Sequence, residues 1–457
     1  MKLKENICKN IFREYDLRGI YNEEIMEDDA YTIGKSFGTY IKNMGETKTI
    51  IGHDNRLSSP ILTDALIKGI TETGINVIYL GLVTTPMYYY ARKKYNLETG
   101  IMVTASHNPK AYNGFKIAFS KIGNAYGELI QDFKKFTEKL QFASGEGTIE
   151  EVDIKKDYIE EITKNIKLNK KLKIVVDCGN GTGSIIIKDI LDKLNIEYYP
   201  LYCDSDGNFP NHHPDPSVKE NQQALASKVK ELGYDMGFGV DGDADRVGVV
   251  DEQGNIITSD TYMILMYRYL SNTIKNRKAL FDVKCSRSLI DELKKLNIEP
   301  VMYRTGASYT NKMMQEGNFD FGGEFSGHLF FRDKWFGFDD GIYAGLRMLE
   351  LLSSQEKKLS ELYNNINKYY STEELKAKVT DENKFQIVEK VKEYCQNKGY
   401  NIIDIDGIRA EFEDGWALVR ASNTGPNLTV RFEAKTETRA QELQEEFQTL
   451  IEKLSKE

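Results

Sequence analysis

The sequence predicts an α/β protein with three successive α/β units and a smaller α+β unit at its C-terminal end. The first observation is an alternation of short apolar runs with segments of helical period, which recurs along most of the chain. The second is the last stretch, where strand-like runs lie between two amphipathic segments. The third is size: 457 residues, 40% of them hydrophobic, exceed what one core holds, because single cores stop growing near ~300 residues.

The first unit combines apolar runs typical of strands with helical-period segments. Strands are expected at residues 49–51, 77–80, 101–104 and 115–119, and helices at 30–41 and 61–73. The stretch 131–168 is charged and amphipathic and carries no strong strand signal. A domain boundary is therefore expected near residue 153.

The alternation of strand-like runs with helical-period segments continues in the rest of the chain. The second unit is expected to contain strands 173–177, 236–240 and 247–251, a short strand 256–257 and a helix 184–194. The third is expected to contain helices 260–270, 288–296 and 341–352, with strands 279–283 and 300–303. Helices 385–397 and 438–453 should flank antiparallel strands 402–405, 417–420 and 428–432. The predicted domains are 1–153, 154–253, 254–366 and 367–457.

Composition excludes several classes of partner. The 61 basic and 70 acidic side chains leave a net charge of −9, and no long block of like charge occurs, which argues against nucleic-acid and membrane-surface binding. The 5 cysteines are scattered and form no C-x-x-C pair, as expected in a reducing compartment. The N-terminal stretch lacks the apolar core of a signal peptide, and no run approaches the roughly 20 apolar residues of a membrane helix. We expect a cytoplasmic protein.

The segment Asp241-Gly242-Asp243-Ala244-Asp245-Arg246 is a candidate metal site. In a tight loop between strands, the alternate spacing should turn all three carboxylates the same way, and they repel one another unless a cation lies among them. Mg²⁺ prefers such oxygen ligands and accepts a phosphate oxygen as well. A calcium-binding EF-hand loop ending at Glu252 is the rival, opposed by Arg246 at the position that requires glycine and by the strand-like flanks. A solvated acidic turn is the plain alternative.

Ser106 lies in Thr104-Ala105-Ser106-His107-Asn108-Pro109, a loop that follows an apolar strand. A serine next to a histidine suggests a hydrolase, but neighbouring side chains on an extended chain point apart, and G-x-S-x-G is absent here. An ordinary turn serine remains the alternative.

Three further loops carry polar side chains. Residues 323–328, with Glu324, Ser326 and His328, offer hydrogen bonds to a polyol. Residues 420–426, from Arg420 to Pro426, form either a phosphate cradle or a plain Asn-Thr-Gly-Pro turn. Residues 179–183 (GNGTG) are interpreted as a tight strand-to-helix turn, because the dinucleotide-binding spacing is not met.

Together these motifs resemble the α-D-phosphohexomutase family, and in particular its bacterial phosphomannomutase/phosphoglucomutase branch. TASHNP, DGDADR, GEFSGH and RASNTGPN occur in that order over nearly the whole chain, and FREYDLRGI near the start adds to the likeness. The resemblance implies three α/β domains with mixed sheets and a C-terminal α+β domain around a central active-site cleft.

The resemblance also implies roles for individual residues. Ser106 would be carried as a phosphoserine, and Mg²⁺ would be held by Asp241, Asp243, Asp245 and the phosphorylated Ser106. The groups around the reacting phosphoryl would be Arg18, Lys116, Arg246 and His328, with Lys116 and His328 as candidates for proton transfer. Lys116 acts as a base only if its pKa is depressed. Sugar hydroxyls would bind Glu324 and Ser326, the distal phosphate would bind Arg420, Ser422, Asn423 and Thr424, and Tyr15 and Lys284 would line the cleft.

The implied activity is an isomerase reaction that interconverts the 1-phosphates and 6-phosphates of mannose and glucose through a 1,6-bisphosphate. Glucose 1,6-bisphosphate or mannose 1,6-bisphosphate would serve as activator, and a monomer and a dimer are both open. A phosphoglucosamine or N-acetylglucosamine phosphate mutase is the nearest alternative, although Phe325 stands where phosphoglucosamine enzymes typically carry Gln. A non-catalytic sugar-phosphate-binding relative and a Ca²⁺-binding module are further alternatives. Ala307, where many relatives have His, is either neutral or slows the enzyme.

Overall fold

A mixed sheet organises the first part of the chain in the computed structural model, which describes residues 1–121, 123–380, 382–422 and 425–456. Its strands are β1 (Leu17–Ile20), β2 (Lys48–His53), β3 (Asn76–Leu82), β4 (Thr99–Val103), β5 (Tyr112–Phe119) and β6 (Ile149–Glu151), in the order β1-β5-β4-β2-β3-β6. The accompanying helices are α1 (Glu27–Asn43), α2 (Ser59–Thr71), α3 (Thr85–Lys94), α4 (Glu128–Glu138) and α5 (Lys155–Lys164).

The strand directions bring two loops of this sheet together. β2 runs parallel to β4, with His53 beside Val103, while β5 returns antiparallel to β4. The carboxyl ends of β2 and β4 therefore meet at one edge, and the backbone N–H of Asp54 donates to the carbonyl of Val103 at 2.9 Å. The loop after β2 consequently lies beside the loop that carries Ser106.

The second sheet is also mixed. Its strands are β7 (Lys173–Asp177), β8 (Glu197–Leu201), β9 (Met236–Val240), β10 (Val247–Asp251) and β11 (Ile256–Ile257), in the order β11-β10-β9-β7-β8. Its helices are α6 (Ile187–Lys193) and α7 (Gln223–Leu232). The helix predicted from residue 184 begins instead with a 3₁₀ turn at Thr182–Ile185 and continues as α6, because the β-branched run 185–187 follows a glycine-rich turn. β9 and β10 pair antiparallel, with Val240 opposite Val247.

The third segment alternates helices and strands. They are α8 (Ser259–Leu270), β12 (Lys278–Asp282), α9 (Arg287–Lys295), β13 (Glu299–Tyr303), α10 (Ala307–Glu316), β14 (Phe321–Gly323), β15 (Leu329–Phe331), α11 (Gly341–Ser353) and the short α12 (Leu359–Leu362). β12 runs parallel to both β13 and β14.

The C-terminal segment is an antiparallel sheet with two helices. Its elements are β16 (Tyr370–Ser371), β17 (Leu375–Lys378), α13 (Lys384–Asn397), β18 (Asn401–Ile403), β19 (Ile408–Glu411), β20 (Gly415–Ala421), β21 (Asn427–Ala434) and α14 (Glu437–Leu454). The strand order is β16-β21-β20-β19-β18, and β17 also pairs with β21. Phe432, Leu443 and Phe447 are buried between the sheet and the helices. The predicted fold class is confirmed.

The chain divides into two compact units. Unit 1 comprises Met1–Thr258, Asn311–Phe321 and Ser326–Leu362, and unit 2 comprises Ser259–Thr310, Gly322–Phe325 and Tyr363–Glu457. Within the described part of the chain, the helices are all too short or too polar to cross a membrane.

Helix α11 supports the second sheet within unit 1. Its N-terminal residue Gly341 donates its N–H to the carbonyl of Ala244 at 3.0 Å. A Cβ at Gly341 would lie 2.2 Å from the carbonyl oxygen of Arg246, so only glycine allows this approach. The side chain of Asp340 caps the helix by accepting from the N–H of Tyr343 at 2.9 Å, and it also accepts from the hydroxyl of Tyr158.

Asp340 should make the stability of the protein depend on pH. Burial raises the pKa of its carboxyl to about 7, while the bonds from Tyr158 and Tyr343 lower it in part. Between the ordinary carboxyl pKa and about 7 the folded chain keeps a proton that the unfolded chain loses, so the free energy of unfolding falls as pH rises. From pH 5 to pH 8 the expected loss is about 2 kcal/mol.

Denaturant unfolding of the wild type and Asp340→Asn at several pH values measures this term. The amide side chain of the variant cannot ionise, so the variant should show a flatter dependence over this range. Equal slopes for the two proteins would contradict the assignment to Asp340.

Candidate functional site

The acidic loop, residues 241–246, connects β9 to β10 in unit 1. Asp241, Asp243 and Asp245 are each at most 1% exposed, and one ligand atom of each lies within 4.8 Å of the others. The loop is a tight turn in which Ala244 has φ 64°, not an extended segment. The carboxylates therefore converge because the chain turns, and the alternation expected from the sequence is not the cause.

In both Asp243 and Asp245, one carboxylate oxygen accepts hydrogen bonds and the other oxygen has no hydrogen-bond donor among the described residues. The Oδ2 atom of Asp243 accepts from the Thr85 hydroxyl and from Lys116 Nζ, both at 2.7 Å. Lys116 also donates to Asp245 Oδ2 at 2.6 Å. Among the described residues, no group donates to Asp243 Oδ1 or Asp245 Oδ1, although both oxygens are buried.

The donor set fits a divalent cation. Buried carboxylate oxygens without hydrogen bonds are costly unless a positive charge compensates them, and hard oxygens are the ligands that Mg²⁺ prefers. The ammonium of Lys116 already occupies a position between two of the carboxylates, as a cation would. Asp241, Asp243 and Asp245 are therefore the residues that would hold the metal.

The charges of this cluster shift one another. Burial raises the pKa of Asp241 well above its usual value, and the charges of Asp245 and Asp243 raise it further. Burial alone would lower the pKa of Lys116, but Asp243 and Asp245 outweigh burial and raise it well above its usual value. The depressed pKa that base catalysis by Lys116 requires is not what this arrangement produces.

Ser106 lies in the Ser106 loop, residues 104–111, between β4 and β5. Its Oγ donates to Asp241 Oδ2 at 2.9 Å, which brings the serine directly to the acidic cluster. The residue has φ 48°, and its N–H donates to the Thr104 hydroxyl at 2.9 Å. Because of this left-handed backbone, Ser106 Oγ and His107 Nδ1 lie 3.3 Å apart, against the expectation that the two side chains diverge.

His107 is held neutral beside the serine. Burial lowers the pKa of His107 well below its usual value, and the charges of Arg246 and Arg18 lower it further. No carboxylate orients this ring in the manner of a hydrolase triad among its described hydrogen bonds and ion pairs. Ser106 Oγ thus contacts both Asp241 of the acidic loop and the neutral ring of His107, without, among the described residues, the third group that a hydrolase triad requires.

Three predicted cationic or basic groups of unit 1 lie around this centre. Arg18, on β1, donates through Nη1 to Asn108 Oδ1 at 2.7 Å and pairs with Asp16. Arg246 donates through Nε to His328 Nε2 at 2.9 Å, which requires that Nε2 carry no proton. The Nδ1 atom of His328 then carries the proton and lies 2.7 Å from Asp339 Oδ2.

The predicted sugar-binding residues of unit 2 form a separate polar network. Glu324 is 1% exposed, and its Oε1 accepts from the N–H of Gly306 at 3.0 Å and from the Thr310 hydroxyl at 2.6 Å. Lys284 Nζ pairs with Glu374 at 3.1 Å. Burial alone would lower the pKa of Lys284, but Glu374 and Asp282 raise it above its usual value.

Arg420 extends this network at the end of β20. Its Nε donates to Asp406 Oδ2 at 2.9 Å, and the N–H of Thr305 donates to the same oxygen at 3.0 Å. The Thr305 hydroxyl in turn donates to Asp282, which also accepts from the N–H of Phe325. The loops that carry Glu324 and Arg420 are thus joined through two aspartates within unit 2.

The other predicted residues have simpler surroundings. Tyr15 is half-buried in unit 1, where its hydroxyl group is among the groups that raise the pKa of Arg246 against the effect of burial. Ser326 is half-buried in the turn before β15. Ser422 is buried in unit 2, and its carbonyl accepts from Lys384 at 2.8 Å. Asn423 and Thr424 lie outside the described residues.

Several residues that complete the two clusters were not singled out from the sequence. Thr85, at the start of α3, binds Asp243 through both its hydroxyl and its N–H. Asp339 holds His328, and Thr305 and Asp406 connect the polar groups of unit 2. A threonine before a proline and isolated aspartates carry no chemical signal in a single sequence, so only the fold identifies them.

The fold and the buried Ser–Asp cluster define a multidomain α/β protein with a preformed cation site. Four family descriptions match the chain in order: phosphoglucomutase/phosphomannomutase alpha/beta/alpha domain I at residues 9–143, domain II at 156–254, domain III at 258–370, and the C-terminal domain at 374–450. The chain belongs to the phosphoglucomutase/phosphomannomutase family, as the resemblance of its motifs predicted.

Individual relatives agree with this assignment. A phosphomannomutase/phosphoglucomutase of Pseudomonas putida is 40% identical over 442 residues, which cover 97% of this chain and 95% of the relative. A phosphoglucomutase of Neisseria meningitidis serogroup A is 41% identical over 98% of both chains. The crystal structure of a phosphoglucomutase/phosphomannomutase family protein from Burkholderia thailandensis has a TM-score of 0.90 and 35% identity, covering 99% of this chain and 98% of that one.

Removing the ammonium from the acidic cluster should strengthen the response to a divalent cation. Lys116→Met leaves two buried carboxylates, Asp243 and Asp245, without their counter-charge, so we expect a loss of about 3 kcal/mol in the free energy of unfolding without divalent ions. The gain in melting temperature on adding MgCl₂ should then exceed that of the wild type, because no ammonium competes with the cation.

Thermal melts with MgCl₂ and with NaCl at equal ionic strength measure this difference. Lys135→Met, which removes an exposed lysine paired with Asp132, is the matched control and should behave as the wild type. A smaller MgCl₂ response in Lys116→Met than in the wild type would contradict competition at this site.

Proposed function

We propose that this protein is a phosphohexomutase that interconverts hexose 1-phosphates and 6-phosphates of glucose and mannose through phosphorylated Ser106. The observation that supports the proposal is the 2.9 Å hydrogen bond from Ser106 Oγ to Asp241, because it brings the serine oxygen to the cluster of three buried carboxylates. Membership of the phosphoglucomutase/phosphomannomutase family supports the choice of reaction and of substrate class.

The proposed reaction moves a phosphoryl group twice. The bond between phosphorus and Ser106 Oγ breaks while the free hydroxyl oxygen of the hexose phosphate bonds to phosphorus and gives up its proton to a base, and Ser106 Oγ takes up a proton as it leaves. The resulting 1,6-bisphosphate turns end for end, and its other phosphoryl group returns to Ser106 Oγ, which leaves the isomeric monophosphate. In the second transfer Ser106 Oγ gives up this proton and the departing sugar oxygen takes one up. Catalytic glucose 1,6-bisphosphate or mannose 1,6-bisphosphate phosphorylates the serine of idle enzyme in the same way.

Charge compensation is the main requirement of this step, because the transferring group spreads negative charge over its oxygens. Asp241, Asp243, Asp245 and an oxygen of phosphorylated Ser106 would hold Mg²⁺, which supplies Lewis-acid stabilisation when bound. Arg18 and Arg246 would provide further positive charge, because both lie close enough to His107, beside Ser106, to lower its pKa.

Proton transfer is assigned to Lys116 and His328. Lys116 is a cation while Asp243 and Asp245 bind it, so it becomes a base only when those carboxylates bind a metal instead. His328 already has an unprotonated Nε2, but Arg246 donates to that nitrogen. A shift of Arg246 towards the phosphoryl group would release Nε2 to accept the proton.

Unit 2 is proposed to hold the non-reacting parts of the substrate. Glu324 of unit 2 and Ser326 of unit 1 are each assigned to hydroxyls that glucose and mannose share, so both sugars should be accepted. The distal phosphate would bind Arg420 and its loop, together with Ser422, Asn423 and Thr424. Tyr15 in unit 1 and Lys284 in unit 2 are proposed as further substrate-binding residues.

We also propose the domain boundaries 1–153, 154–253, 254–366 and 367–457. A cytoplasmic location is supported by the free state of Cys8, Cys178, Cys203, Cys285 and Cys395. The partners are small sugar phosphates, with no nucleic acid and no membrane, and the assembly is a monomer or a dimer.

Substituting the nucleophile should abolish the reaction. Phosphorus NMR follows glucose 1-phosphate and mannose 1-phosphate in separate tubes with enzyme, MgCl₂ and a trace of glucose 1,6-bisphosphate. The wild type should convert both to 6-phosphates, and Ser106→Ala should be slower by at least about a thousandfold because no covalent carrier remains. Ser354→Ala, at an exposed serine, is the control and should keep full activity.

The outcomes separate the alternatives. Conversion of one sugar alone would mean that the enzyme distinguishes the configuration at C2. Turnover of glucosamine or N-acetylglucosamine phosphates without turnover of either hexose phosphate would favour the aminosugar mutases. Equal activity of Ser106→Ala and the wild type would overturn the phosphoserine mechanism.

Replacing Arg420 should weaken substrate binding. Arg420→Gln removes a charge-assisted donor pair, so KM for glucose 1-phosphate should rise about tenfold or more. Arg439→Gln is the matched control, because Arg439 also pairs with an aspartate of unit 2, Asp414, but on the surface. Steady-state kinetics with saturating bisphosphate measure both variants, and an unchanged KM in Arg420→Gln would remove this residue from the binding site.

A further inference from the structure

Arg56 is a buried arginine that donates most of its hydrogen bonds to backbone carbonyls of the Ser106 loop. It lies in the turn after β2, and the residue is 1% exposed. Its Nη2 donates to the carbonyls of Ser106 at 2.7 Å and Asn108 at 2.6 Å. Its Nη1 donates to the carbonyls of Pro109 at 2.8 Å and Tyr112 at 3.2 Å. The remaining N–H, on Nε, donates to Asp54 Oδ2 at 3.1 Å, so every N–H of the guanidinium is used.

We propose that Arg56 is a positioning residue of the mutase: its guanidinium holds the backbone of the Ser106 loop so that Ser106 Oγ stays directed at Asp241. The role rests on the function proposed above, and it concerns a residue that none of the recognised motifs contains. Arg56 touches neither the acidic carboxylates nor the ring of His107 among its described hydrogen bonds and ion pairs, so it acts through the loop.

The Ser106 loop requires such support. Ser106 has φ 48°, a conformation that is uncommon for a residue with a Cβ. The loop has few internal hydrogen bonds of its own, chiefly from the N–H of Asn108 to Ala105 and from the N–H of Tyr112 to Pro109, each at 2.9 Å. Three carbonyls of the loop, those of Ser106, Asn108 and Pro109, and that of Tyr112 at the start of β5 all accept from the fork of a single guanidinium.

The guanidinium is itself fixed to the first sheet. Asp54 is 1% exposed, its N–H is bound to β4, and its Oδ1 accepts from the N–H of Arg56 at 3.0 Å and from the Ser59 hydroxyl. Phe209 lies in the segment between β8 and α7, and the centre of its ring is 5.2 Å from the guanidinium carbon of Arg56. Arg56 therefore has no freedom to follow a displaced loop.

The carbonyl of Ser106 transmits this constraint to the cation site. A Cβ at Gly242 would lie 2.6 Å from that oxygen, so the acidic loop packs directly on the group that Arg56 binds. Loss of the Nη2 bond would let the Ser106 peptide rotate against Gly242 and would move Oγ relative to Asp241. Displacements of about 1 Å in a reacting group cost roughly a hundredfold in rate.

Arg56→Lys tests the proposal, because an ammonium keeps the charge but lacks the fork. We expect kcat for glucose 1-phosphate to fall about a hundredfold with KM changed less than threefold. Hydrogen–deuterium exchange of the peptide 104–112 should be faster by at least about tenfold, because the loop amides lose their fixed backbone. Asp54→Asn, which weakens the anchor of Arg56 and keeps the arginine, should show the same pattern to a smaller degree and provides the test if Arg56→Lys does not fold.

Arg347→Lys is the matched control. Arg347 is also fully buried in unit 1 and is paired with Asp333, but it lies on α11 away from the Ser106 loop. It should lose stability without loss of kcat and without faster exchange in 104–112. A kcat in both Arg56→Lys and Asp54→Asn that matches the wild type, or an equal fall of kcat in Arg347→Lys, would overturn the proposal.

The two hypotheses fail in different ways. A wild-type enzyme without mutase activity on any hexose or aminosugar phosphate would overturn the proposed function, while the exchange of 104–112 would still show whether Arg56 holds the loop. An active wild type with unchanged exchange in Arg56→Lys would overturn the positioning role alone.

Discussion

The crowding of three buried carboxylates is the constraint on which the rest of unit 1 depends. Asp241, Asp243 and Asp245 present ligand atoms within 4.8 Å of one another, where like charges repel by about 4 kcal/mol per pair at an effective dielectric constant of about 20. Hydrogen-bond donors around the cluster partly compensate this repulsion. They are two backbone N–H groups at Asp241, the Thr85 hydroxyl at Asp243 and the ammonium of Lys116. Two oxygens still lack a donor among the described residues, which is what prepares the cluster for a cation.

The placement of these donors follows from the sheet topology. Parallel strands β2 and β4 end at the same edge, and the antiparallel return of β5 carries Lys116 back beside Met102, one residue before the end of β4. Ser106 and Arg56 are therefore neighbours although they lie in different loops. The chemistry of the site is thus divided: the acidic loop of the second sheet supplies negative charge, and the loops and strands of the first sheet supply the serine, the ammonium and the supporting guanidinium.

Unit 2 is built on a different principle. Its polar groups are already paired with one another, Glu324 with Gly306 and Thr310, and Arg420 with Asp406. Such pairs keep charged side chains oriented without leaving them unpaired. In the acidic loop, by contrast, two carboxylate oxygens have no donor among the described residues.

The sequence by itself determined the α/β rhythm, the strands β7, β9, β10 and β11 at their observed bounds, and the motifs that place the chain in its family. Strands such as β6, whose residues Glu150 and Glu151 are exposed, have no apolar pattern to reveal them. Tertiary structure alone decided that Ser106 adopts a left-handed conformation next to His107 and that Lys116 lies between two aspartates. It also decided that Thr85 binds Asp243, that Asp339 lies beside His328 and that Arg56 binds the Ser106 loop. The physical reason is that hydrophobic periodicity is local, while hydrogen bonds and charge pairs between residues far apart in sequence exist only after the strands have been brought side by side.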